Sequence, residues 1–117
     1  MNVGPRAGLE EMLLAVVLGR KNDPTLLGFA ADQFSVAGLC PRAMGMYRRA
    51  LDITPDNVQL RINTSLCLLR LGKLDEARAL AVAGMPRAAD DTGLMNIVTL
   101  SDSLITVRRQ RLASVSR

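Results

Sequence analysis

Gly38-Leu39-Cys40-Pro41-Arg42-Ala43 and Gly72-Lys73-Leu74-Asp75-Glu76-Ala77 stand 34 residues apart, and in each the glycine precedes its alanine by five. A fixed offset of that length marks a supersecondary unit made twice. Glycine supplies the left-handed residue that closes one helix, and alanine is small enough to let two helices approach closely. The stretch therefore reads as helix, tight turn, helix, then the same again.

Working outward, every strong periodicity is helical. Leu9, Met12, Leu13, Val16 and Val17 follow the spacing of one buried stripe and predict a first helix over 8–19. Asp23 before Pro24 gives an N-cap acceptor and a first-turn residue whose missing N–H is not needed, so a second helix starts there and stops near Gly38. Pro41 opens a third, to about Thr54, and Thr54-Pro55-Asp56-Asn57 is a stop followed by a new start. The fourth helix is expected from about Asp56 to Leu71, with Gly72 as its left-handed cap. The fifth opens at Asp75 and ends before Pro86, and Asp90-Asp91-Thr92 caps a last helix to about Arg111. In that helix Leu94, Ile97, Val98, Leu104 and Ile105 form the apolar stripe, with Ser101, Asp102 and Ser103 on other faces; it reads as a solvating cap. No segment alternates with period two, so the expected fold is all-α, with about six helices. The domain layout is a single unit over 1–117: an N-terminal helix (8–19), repeats over 24–57 and 58–91, a capping helix (92–111) and a basic tail (112–117).

Composition narrows the function. With 117 residues, 49% of them apolar, the chain is long enough to fold around a core of its own. It holds no histidine, which removes imidazole bases, His-dependent nucleophiles and His-ligated zinc. Cys40 and Cys67 lack metal-ligand spacing and read as small buried apolar residues. No phosphate-binding glycine loop or recognisable carboxylate pair is present, so neither enzyme chemistry nor a cofactor is expected. Residues 1–107 carry 11 basic and 11 acidic side chains, and the net charge of +4 lies in Arg108, Arg109, Arg111 and Arg117. The aromatics are Phe29, Phe34 and Tyr47, not interleaved with basic residues; the arginines read as a solvated helix end, and no nucleic-acid partner is expected. No leader pattern or 18-residue apolar span appears, so a cytoplasmic protein without membrane insertion is expected.

The repeat resembles the tetratricopeptide helix–turn–helix unit. Ala43, Tyr47, Ala50, Leu51 and Pro55 match its second half, and Leu27, Ala31 and Phe34 stand at the large, small and aromatic places of its first helix. The second repeat carries the turn but departs with Arg61 at the tryptophan place, Ser65 at the glycine place, Leu68 at the tyrosine place and Gly84 at the second alanine. The resemblance implies an α-α superhelix that binds partners on a concave face. It places Thr25, Gly28, Asp32, Ser35 and Val36 there from the first repeat, and Gln59, Ile62, Leu66, Leu69 and Arg70 from the second. Ile62, Leu66 and Leu69 lie on one side of a helix and are suited either to receive an amphipathic helix or to fill the core.

A short first helix, two degenerate repeats and a terminal helix also resemble the small needle-subunit chaperones of bacterial type III secretion systems. The stretch Ser65-Leu66-Cys67-Leu68-Leu69-Arg70-Leu71-Gly72-Lys73-Leu74-Asp75-Glu76-Ala77 is similar to a helix pair of the larger translocator chaperones of those systems. This resemblance implies a non-enzymatic cytoplasmic chaperone holding an amphipathic helix of a secreted subunit, with a second small helical co-chaperone as a further partner. Leu9, Met12, Leu13 and Val16 are the candidate surface for that co-chaperone, or else an internal N-terminal cap. A generic repeat adaptor or scaffold in another complex, or a translocator chaperone of the same systems, is the alternative reading.

Overall fold

The computed structural model describes residues 23–88 and 90–115. They form five α-helices and one 3-10 turn, with no strand among them: α1 Pro24–Val36, α2 Cys40–Ile53, α3 Val58–Arg70, α4 Leu74–Gly84, the turn Met85–Arg87, and α5 Thr92–Val115. The fold is all-α. The expected helix over 8–19 lies outside the described residues. The chain divides into two compact units, Met1–Leu60 and Arg61–Arg117, with the boundary inside α3.

In the first unit, Asp23 caps α1 by accepting from the backbone N–H groups of Thr25 and Leu26, and Pro24 fills the position where no donor is required. α1 packs on α2. Leu27, Ala30, Ala31 and Phe34 are fully buried on α1, and Ala43, Tyr47 and Ala50 on α2 are 1% exposed or less. Four alanines in that set leave room for close backbone approach. The Tyr47 hydroxyl, in a buried ring, donates to Asp32 on α1, which satisfies the one polar atom that the ring carries inward. Thr54 closes α2 by donating both its N–H and its hydroxyl to the Ala50 carbonyl.

The two glycine corners are built alike. At the first, the N–H groups of Ala37, Gly38 and Leu39 donate to the carbonyls of Gln33, Ser35 and Phe34; at the second, those of Leu71, Gly72 and Lys73 donate to Cys67, Leu69 and Leu68. Each bond of one set lies 34 residues from its counterpart. Gly38 and Gly72 have φ of +81° and +76°, the left-handed region of a Schellman closure. The next helix then starts in the same way, with Ala43 and Ala77 donating to Leu39 and Lys73.

The structure shifts several expected boundaries. α3 begins at Val58 and not at Asp56, because the Asn57 side chain, two residues past Pro55, accepts the Leu60 N–H and so is the cap. α1 ends at Val36, with Ala37 as its cap. α5 is capped by Asp91, whose carboxylate accepts from Leu94, and it runs to Val115, four residues beyond the expected end. Within α5 the placement of Ser101 on an outer face is corrected: it is fully buried, between Ile97 and Ile105. Its hydroxyl donates to the Ile97 carbonyl at 2.6 Å, so the helix itself satisfies the group and burial costs little. Leu104, expected in the buried stripe, is 37% exposed.

The corner glycines make opposite demands to a glycine inside a helix. Gly72→Ala puts a Cβ on a left-handed residue and is expected to lower stability by about 1 to 2 kcal/mol. Gly45→Ala, at an exposed position of α2 with open space around it, is expected to raise stability by about 0.5 to 1 kcal/mol. The thermal midpoints of the two variants should move in opposite directions.

Candidate functional site

α3 carries five of the ten residues expected on the partner face, those of the second repeat. Its inner positions Leu60, Thr64, Ser65, Cys67 and Leu68 are buried, Gln59 and Arg70 are exposed, and Ile62, Leu66 and Leu69 are half-buried. Neither expectation for these three, open groove or filled core, describes them fully, since each has part of its surface packed and part open. Ile62 turns its Cδ1 toward the start of α5, 2.6 Å from where a Cβ on Gly93 would sit. Its packing is therefore intramolecular, and the glycine at residue 93 leaves it room. Leu66 and Leu69 follow at one-turn spacing with Arg70 beside them.

The first-repeat residues are placed differently. Val36, at the end of α1, is 83% exposed. Asp32 is tied to Tyr47, and the Ser35 hydroxyl lies 3.9 Å from the Cys40 sulfur, so both side chains link α1 to α2. Gly28 lies against the Leu60 side chain, 3.5 Å from the position of its absent Cβ, and Thr25 is exposed in the first turn of α1. Leu9, Met12, Leu13 and Val16 lie outside the described residues.

Two of the second repeat's departures explain one another. Arg61, at the tryptophan place, runs its aliphatic stem across α4 so that Cδ comes within 2.5 Å of where a Cβ on Gly84 would be, and its guanidinium donates to the Leu80 carbonyl at 3.0 Å. A Cβ at residue 84 would meet this stem and, at 3.3 Å, Leu94 Cδ1, so the glycine there leaves the Arg61 side chain its path to Leu80. Ser65, at the glycine place, is fully buried with its hydroxyl bonded to the Arg61 carbonyl. The signal was two departures in one repeat; their connection needed the packing of α3 on α4. α4 and α5 are further joined by Arg78 to Asp102 at 2.6 Å and Arg108 to Asp75 at 2.9 Å, both half-exposed pairs worth about 1 kcal/mol or less each. Arg108, expected among the solvated tail arginines, is thus an interhelical contact.

Among the described residues no group of three or more His, Cys, Asp or Glu side chains is placed to hold a metal ion. No helix there is long and apolar enough to cross a membrane. Cys40 and Cys67 are buried thiols.

The tetratricopeptide repeat family model matches residues 40–95, which span α2, α3, α4 and the start of α5. The match supports a tetratricopeptide-repeat protein. Such repeats bind protein partners and are typically non-catalytic. No curated protein matches the chain.

The Arg61 and Gly84 pairing is open to a double-mutant cycle. Gly84→Ala alone is expected to lower stability by about 1 kcal/mol, the displacement of the Arg61 stem and its bond to Leu80 outweighing the helix preference of alanine. Combined with Arg61→Ala it should cost less than the sum of the single changes, with a coupling of about 1 kcal/mol in urea denaturation.

Proposed function

We propose that this chain is a non-enzymatic, cytoplasmic protein-binding chaperone whose α3 face holds an amphipathic helix of a secreted subunit, in the manner of the needle-subunit chaperones of bacterial type III secretion systems. The observation that carries the reading is the contrast within α3. Cys67 and Leu68 are buried, whereas Leu66 and Leu69 keep apolar surface open one turn apart, beside Arg70. A helix laid on them would gain apolar burial from both leucines and meet one cation at the edge. Covering the cargo's apolar face in this way keeps it from self-assembling before export, and binding of this kind needs no chemistry from the chaperone.

The alternative, a generic repeat adaptor in another complex, rests on the family match alone and uses the same face. A co-expressed needle-type subunit distinguishes the two. Under the chaperone reading it stays soluble and co-purifies, and Leu66→Asp or Leu69→Asp weakens the complex by about 2 to 4 kcal/mol, roughly 30- to 1000-fold, by placing an unpaired charge under the docked helix. Because each leucine is half-buried, the melting temperature is expected to fall by a few degrees with the chain still folded at the temperature of the assay. If the variants keep the complex intact while folded, cargo binds elsewhere; if they unfold, the packed part of each leucine outweighs the open part and the docking role is overturned.

A further inference from the structure

We propose that the C-terminal half of α5 is a second docking surface, separate from the α3 face, that takes an acidic amphipathic helix of a protein partner. Leu112 and Val115 stand 18 residues, five helical turns, beyond Leu94 and Ile97 and hence on the same side of α5. At the start of the helix that side is buried, Leu94 at 0% and Ile97 at 4% exposure; at its end Leu112 is 61% and Val115 81% exposed. The difference follows from length. α5 has 24 residues, about 36 Å, while α4, which packs on it, has 11, about 16 Å. Asp75, in the first turn of α4, reaches Arg108, so the part of α5 beyond Arg108 outruns its neighbour.

The chemistry of the occupant is set by two rows at i, i+4, i+8 spacing: Leu104–Arg108–Leu112 and Val107–Arg111–Val115. Each is apolar, cationic, apolar. In the first row α4 already supplies the carboxylate, Asp75 on Arg108. In the second, Arg111 has no ion-pair partner among the described residues, and Val107 on its inner side is 49% exposed. The complement is a helix bearing a carboxylate between two apolar residues, each one turn away. A second copy of this chain does not fit that requirement: after Asp102 the sequence has no acidic residue and four arginines, so two α5 ends laid side by side would set like charges together.

The test uses the full chain and a labelled synthetic helical peptide with Leu, Glu and Leu at i, i+4 and i+8 on one face, together with a second peptide in which Lys replaces the Glu. The Glu peptide is expected to bind with a Kd that rises with salt. Arg111→Glu should weaken it about tenfold or more and restore binding to the Lys peptide. Leu112→Asp with Val115→Asp should abolish binding with little change in melting temperature, because both side chains are exposed in the folded chain. The proposal is overturned if the Glu peptide fails to bind at about 100 µM, if wild type takes the Lys peptide equally well, or if Arg111→Glu leaves the Kd unchanged. Loss of binding in Leu69→Asp alone would assign the contact to α3. A concentration-dependent dimer in sedimentation that Leu112→Asp dissolves would give the surface to a second copy instead.

Discussion

The left-handed glycine at the corner of each hairpin decides where the second helix begins, and through that which of its residues meet the first. At Gly38 and Gly72 the chain reverses through the same three backbone hydrogen bonds, so Ala43 and Ala77 arrive at equivalent places and both are fully buried. A β-carbon at either corner would strain the turn, and a displaced turn would rotate Ala43 on α2 or Ala77 on α4 out of its buried place. The rest of each unit depends on this geometry: the buried Tyr47 bonded to Asp32 in the first, the Arg61 stem over Gly84 in the second.

In the second unit an arginine stands where the tetratricopeptide pattern has a large aromatic. Arginine fills the tryptophan place with a flexible stem and a charged end, and the charge needs an acceptor. The Leu80 carbonyl provides one in the neighbouring helix, and the removal of a β-carbon at residue 84 provides the space. Volume taken up at one position is given back at another, as close packing requires.

The fold class, the helix order and both corners were legible in the residues because they rest on local chemistry: apolar spacing, capping side chains and glycine. The start of α3 was missed by two residues because Asp56 and Asn57 are both capping residues, and the sequence does not say which of them accepts the Leu60 N–H; in the fold it is Asn57. Ser101 was misplaced because a hydroxyl reads as polar, although a helix can satisfy it from its own carbonyls. The interhelical pairs Arg61–Leu80 and Arg108–Asp75 depend on which faces meet, and helix periodicity carries no information about that. At the candidate face the positions of Leu66 and Leu69 were legible, but their half-burial was not, since it depends on how much neighbouring atoms cover.

The boundary between the two units falls within a helix and not in a linker, and this bears on how the molecule comes apart. A 13-residue helix is marginal in water by itself. α3 has Leu60 buried on one side of the boundary and Cys67 and Leu68 on the other, so neither unit owns a complete copy of it. The first turn of α3 is held by its contact with α1, where Leu60 lies against Gly28, and the residues after it by Arg61 on α4 and Ile62 on the start of α5. Its two ends are therefore free to fray with different free energies.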